Sequence, residues 1–96
     1  INDPVTSIPN DFRLYQNYPN PFNPTTNITF ELPEQGSAEL RVYDISGKEI
    51  EMLFSGYKPA GRHEVTFDAS ILSSGVYFYT LKTDKALLTR KMILIK

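Results

Sequence analysis

The sequence predicts an all-β fold, an Ig-like antiparallel β-sandwich of about seven strands. Three observations carry this. Apolar residues recur with a period of two in short runs, as in Ile28, Phe30 and Leu32 or Ala38, Leu40 and Val42. Turn signals such as PEQG, DISGKE, SGYKPAG and TDKA separate these runs at regular spacing. No run has a helical period, and the six Tyr and six Phe suit strands. Seven short strands at this spacing point to two stacked sheets. The absence of long helical patterns excludes a doubly wound nucleotide-binding fold.

The elements follow in order. Residues 1–11 (INDPVTSIPND) are polar with two prolines, and read as a linker or extended lead-in to a domain over residues 12–96. A first short strand begins at Phe12 or Leu14 and ends by Pro19. TTNITFEL places Ile28, Phe30 and Leu32 on one face and Asn27, Thr29 and Glu31 on the other. SAELRVYD alternates likewise, with Ala38, Leu40 and Val42 inward. KEIEMLF has Ile50, Met52, Leu53 and Phe54 on mixed faces, which a β-bulge would reconcile. SGYKPAG reads as a loop, RHEVTFD as a strand, and ASILSS as a short connection of one helical turn. GVYFYTLKT and LLTRKMILIK complete the set.

The last two strands break the alternation. Val76 and Phe78 share one face of GVYFYTL while Tyr77, Tyr79 and Leu81 share the other. In KMILIK both Met92/Leu94 and Ile93/Ile95 are apolar. A sheet with one wet face alternates cleanly. Either loops and the proline-rich lead-in cover these strands, or they expose an apolar patch to another domain or to a second copy, through strands 74–82 and 88–96.

Composition narrows the function. The length of 96 residues suits one domain with a modest core, and a net charge of −1 with scattered Lys and Arg offers no nucleic-acid surface. The lack of cysteine excludes disulfides and thiolate chemistry. The chain starts at Ile1 without a charged-then-apolar leader, so a piece of a longer protein is expected. The longest apolar runs, such as Met92 to Ile95, are too short for a membrane-spanning helix.

Candidate chemistry is sparse. His63 stands beside Arg62 and Glu64 with no nucleophile in a recognised motif, and reads as a strand-edge residue. Asp44, Asp68 and Asp84 fall at strand ends, where Asx turns account for them better than a calcium site. Asn27-Ile28-Thr29 fits the glycosylation pattern but lies inside a strand. Tyr43, Tyr57, Tyr77 and Tyr79 form a sugar-stacking stripe only if they share a surface. Packing is the better reading, since Trp is absent. No enzyme activity, metal or cofactor is expected.

The stretch YPNPFNPTT holds three prolines in six residues, from Pro19 to Pro24. Proline fixes φ, removes a donor and pushes the preceding residue towards extended conformations. Asn-Pro-Phe-Asn-Pro suits consecutive turns, with Phe22 plugging an end of the sandwich. It serves either as a structural corner or as a displayed recognition feature.

Five blocks in order, QNYPNPFNPTTNITFELPE, LRVYDISGKEI, PAGRHEVTFD, LSSGVYFYTL and TRKMILIK, resemble the type A C-terminal sorting domain of type IX secretion cargo. They also resemble the Ig-like domain of flagellar hook-capping proteins. The resemblance covers about Phe12 to Lys96. It implies a β-sandwich address label at the end of a larger exported protein of a Gram-negative bacterium, reaching the cell surface or medium by way of the periplasm. Its implied partners are the type IX outer-membrane translocon, a sortase-like peptidase and the preceding cargo domain. Pro19, Asn20 and Pro21 match the family's PNP element. Gly75 and Tyr77 match its GxY element. Lys91, Met92, Ile93, Leu94, Ile95 and Lys96 match its lysine-plus-hydrophobic end. These are the positions the resemblance assigns to translocon recognition, with the last strand favoured as the recognised element and the proline corner as structure. Phe67-Asp68 departs from the commoner Trp-Asp of the family, and Ser73-Ser74 from a single small residue. An Ig-like spacer packing on a neighbouring domain and a carbohydrate-binding module are the rival functions.

Overall fold

The computed structural model describes residues 8–96. The first seven residues of the expected 1–11 lead-in lie outside the described residues. Among the described residues there are seven strands and no helix: β1 (Arg13–Leu14), β2 (Thr25–Leu32), β3 (Gly36–Tyr43), β4 (Glu49–Lys58), β5 (Gly61–Asp68), β6 (Gly75–Thr83) and β7 (Leu87–Leu94). They form two antiparallel sheets, β1-β2-β5 and β4-β3-β6-β7, and so the expected all-β sandwich.

The period of two builds the core. Thr26, Ile28, Phe30 and Leu32 of β2 point inward, facing Ala38, Leu40 and Val42 of β3 and Tyr77, Tyr79 and Leu81 of β6. Leu14, Phe22, Phe67, Ala69, Met92 and Leu94 join the apolar residues among them in one cluster. Side chains of alternate residues leave a strand on opposite faces, so one register choice buries the whole apolar set. Phe67 is 1% exposed, so it fills the core slot expected of a larger ring.

The outward apolar residues of the two-faced strands pair with one another. Val76 stands opposite Ile93, and Phe78 opposite Tyr43 on one side and Lys91 on the other. Val76, Phe78, Tyr43 and Ile93 are half-buried, since cross-strand neighbours shield each other's flanks.

The β4 irregularity is a pair of bulges. Leu40 pairs with Phe54 and Arg41 with Met52, so Leu53 is extra. Val42 pairs with Glu51 and Tyr43 with Glu49, so Ile50 is extra. Each insertion shifts the alternation by one, and Ile50, Leu53 and Phe54 all pack against the core.

Three expectations change. β1 is a regular ladder over two residues only, and beyond Leu14 the chain stays beside β2 through single contacts, Tyr15 N–H to Thr29 O at 2.9 Å and the Tyr18–Asn27 bridge. SGYK is strand, not loop: β4 continues through Gly36↔Lys58, leaving Pro59 and Ala60 before β5. A turn signal does not end a strand whose backbone still has a partner. ASILSS is a turn closed by Leu72 N–H donating to Ala69 O at 3.0 Å, without a helical segment.

Candidate recognition site

The three sequence blocks assigned to recognition lie far apart in the chain and meet at one end of the sandwich. Their meeting point is β7. On its inner side, Gly75 pairs with Leu94 and Tyr77 with Met92. On its outer side, Phe22 forms a parallel bridge with Leu94. Phe22 N–H donates to Ile93 O, and Ile95 N–H donates to Phe22 O, each at 3.0 Å.

The proline segment reaches that edge by a chain of side-chain bonds. Proline has no N–H, so PNP cannot continue a ladder. Asn17 and Thr26, each 2% exposed, compensate. The Asn17 amide donates to Pro19 O at 3.1 Å and to Thr26 Oγ1 at 3.0 Å, and Thr26 Oγ1 donates to Pro19 O at 2.8 Å. Tyr18 and Asn27 exchange two backbone bonds of 3.0 Å. These contacts hold Asn20 against β7, where its Oδ1 accepts from Ile93 N–H at 3.0 Å. Gln16 Nε2 donates to Lys91 O at 2.6 Å, and Arg90 Nε to Leu14 O at 2.8 Å.

Phe22 is the anchor of the corner. It is 2% exposed, with its ring 6.1 Å from that of Phe67. Pro19, Asn20 and Pro21 themselves are exposed. The corner is therefore both structure and surface, with a buried ring beneath an exposed Pro-Asn-Pro rim.

Within the GxY element, Gly75 takes φ +157°, which L side chains rarely adopt, while a Cβ there would meet nothing within 4 Å. The glycine answers a backbone demand, not a lack of space. Tyr77 is 8% exposed and its hydroxyl donates to Ser73 O at 2.7 Å, tying the turn to the strand. In the last block Met92 and Leu94 are buried, Ile93 is half-buried, Ile95 is 53% exposed, and Lys91 and Lys96 are exposed. Lys96 N–H donates to Ser74 Oγ at 2.9 Å and its Nζ to Ser70 O at 2.5 Å. The Ser70 hydroxyl and N–H both donate to Asp68 Oδ1. These bonds, helped by the Lys96 charge, hold the Asp68 carboxyl below the usual carboxylate range.

Residues that the sequence did not assign to recognition complete the site. Tyr79 is 0% exposed, and its hydroxyl accepts from Asn17 N–H at 2.8 Å and donates to Tyr15 O at 2.6 Å. Burial pushes this phenol up to about 12. Thr26 had a readable signal: it shares the parity of Ile28, Phe30 and Leu32, which puts a hydroxyl on a core face. Asn17 and Gln16 had none.

The other candidates have structural roles. His63 is half-buried, its ring centroid 5.4 Å from that of Phe30, with Nε2 2.8 Å from Pro59 O. Asp44 closes the DISG turn by accepting from Ser46 Oγ, Ser46 N–H and Lys48 N–H, an Asx turn as expected. Asn27 bonds Thr66 across β2 and β5. The four tyrosines form no common stripe: Tyr77 and Tyr79 are buried, Tyr43 is half-buried on the outer face of β3, and Tyr57 is exposed on β4.

The family described as secretion system C-terminal sorting domain matches residues 16–96. Among curated proteins, no match is found.

Proposed function

The chain belongs to the family of type IX secretion system C-terminal sorting domains, and from that premise we propose that residues 12–96 act as a folded address recognised by the outer-membrane translocon. The family is one of sorting signals and not of enzymes. A sorting domain implies a secreted protein in which it forms one part. In the reading proposed here, residues 1–11 lead in from the cargo domain. Recognition directs the cargo through the outer membrane, and a sortase-like peptidase then removes the domain as cargo is released or attached to the surface.

The observation that supports this reading is the convergence at β7. Gly75–Tyr77 and Lys91–Lys96 lie on the neighbouring strands β6 and β7, and Pro19–Pro21, far earlier in the chain, joins them at the last strand. A translocon that meets many cargoes has only the shared end of the molecule to recognise. The exposed Pro-Asn-Pro rim, Ile95, Lys91 and Lys96 display that end, and the buried Phe22, Tyr77, Met92 and Leu94 hold it rigid. A preorganised surface loses less entropy on docking.

The test is a secretion assay. A signal peptide, a fluorescent reporter and residues 1–96 are fused and expressed in a bacterium with a working type IX system and in a translocon-deficient strain. The expected result is reporter outside the first and periplasmic in the second. Periplasmic retention in both, with the same reporter exported by an established sorting domain, rejects the proposal. Deleting residues 90–96 is expected to abolish export.

A further inference from the structure

The outer edge of β7 is held by two amide side chains and by the backbone of one residue. Gln16 Nε2 donates to Lys91 O at 2.6 Å, and Asn20 Oδ1 accepts from Ile93 N–H at 3.0 Å. Phe22 meets Ile93 O with its N–H and Ile95 N–H with its C=O. A neighbouring strand would meet all these groups with its main chain. Pro19 and Pro21 lack the N–H for that, and the two amides act instead. The chemistry differs between the two places. Lys91 presents a carbonyl and needs a donor, whereas Ile93 presents an N–H and needs an acceptor. A primary amide has both ends, and each residue turns the matching one to the edge. Gln16 Nε2 also donates to Asn17 Oδ1 at 2.7 Å, which ties its bond to the buried Asn17–Thr26 network.

These bonds do little for the fold. Asn20 is exposed and Ile93 half-buried, so water replaces the side chain at small cost. The corner is secured elsewhere, by the buried Phe22 ring and by the backbone pair between Tyr18 and Asn27. What Gln16 and Asn20 do set is how β7 lies beside the Pro-Asn-Pro rim. The ladder with β6 ends at Gly75↔Leu94, and Ile95 and Lys96 lie past it. We infer that Gln16 and Asn20 are positioning residues of the address: Gln16 as a donor and Asn20 as an acceptor, they hold the exposed Lys91, Ile95 and Lys96 in fixed register with the Pro-Asn-Pro rim, so that the two are recognised as one surface. The inference rests on the reading of this end of the sandwich as the recognised one.

The test combines export of the reporter fusion with the unfolding midpoint and with amide exchange in the 96-residue chain. Asn20→Ala is expected to lower export about tenfold and to speed exchange at Ile93 by a similar factor, the weight of roughly one hydrogen bond. Exchange at Met92 and Leu94, which face β6, stays as in the wild type. Asn20→Asp keeps an acceptor and is expected to restore both export and Ile93 protection. Gln16→Glu sets a carboxylate against the Lys91 carbonyl, and is expected to lower export as Asn20→Ala does. The same change from amide to acid is thus tolerated at one position and not at the other, a split that stability alone does not produce. Leu53→Ala on β4, at least as destabilising, is the control and is expected to export normally. Equal losses of export in Asn20→Ala and Leu53→Ala make the bond merely structural and overturn the inference. Loss of export in Asn20→Asp with Ile93 still protected overturns it too. Retention of every fusion in the periplasm, wild type included, rejects the address itself and the inference with it, whereas wild-type export beside either of the first two outcomes rejects the positioning alone.

Discussion

The four-stranded sheet has two outer edges, β4 and β7, and they are kept from pairing with other chains by different means. β4 is protected from within. Its bulges at Leu53 and Ile50 break the even spacing that a second strand needs, and Glu49, Glu51 and Lys58 put charge along it. β7 is protected from outside, by a segment some seventy residues earlier in the chain whose prolines prevent it from becoming a strand itself. A bulge is part of the strand that it protects, so only unfolding removes it. The cover of β7 is a separate piece, anchored by the buried Phe22 and by the backbone bonds between Tyr18 and Asn27.

Four substitutions or conditions sharpen this contrast, from the largest effect to the smallest. Phe22→Ala removes a ring that is 2% exposed, and is expected to destabilise by about 3–5 kcal/mol in chemical denaturation. An unchanged unfolding midpoint would mean that the corner displays a surface without anchoring the sandwich. Leu53→Ala trims a half-buried side chain at a bulge of β4 and is expected to cost about 1–2 kcal/mol, without altering exchange at Ile93. Coupling between the two would show that the edges are not independent. Asn20→Ala leaves Ile93 N–H without its acceptor near the surface, for a loss of about 1 kcal/mol. It should leave exchange on β4 untouched.

The last prediction concerns alkali. The Tyr79 phenol is raised by burial to about 12 in the folded chain, against an ordinary value of 10.0. The folded state keeps this proton where the unfolded state loses it, so the contribution is whole below pH 10 and disappears as pH rises towards 12. Unfolding midpoints measured across that window should fall in the wild type, and by less in Tyr79→Phe. Identical pH profiles would remove the Tyr79 hydroxyl from the buried environment assigned to it. At the acid end the sign is opposite. Asp68 and Asp44 are held below 3.8 by hydrogen bonds from Ser70 and Ser46, so their contribution is present above that value and declines as pH falls below it.

Strand existence, strand order along the chain and the inward faces of β2, β3 and β6 were legible in the sequence, because they depend on a two-residue period within eight or nine residues. The irregularity of β4 was legible for the same reason: two consecutive breaks in alternation announce inserted residues. The length of β4 was misread at SGYK, where Gly and Lys signal a turn locally but Gly36 to Ala38 of β3 lie alongside and keep the ladder going. Pro19–Pro21, Gly75–Tyr77 and Lys91–Lys96 could be picked out individually. Their meeting on β7 could not, nor could the reach of Asn17 to Thr26 or of Tyr79 to Asn17.

By itself, then, the sequence determined the class of fold, the strands and their buried faces, since each follows from residues close enough in the chain to share one strand or one turn. The tertiary structure alone decided which segment covers which edge. That choice turns on single hydrogen bonds between distant residues, such as Gln16 to Lys91, 75 positions apart. No local pattern records them, because the groups involved, an amide side chain and a backbone carbonyl, are suited to many partners until the sheets stack and bring one pair within 3 Å.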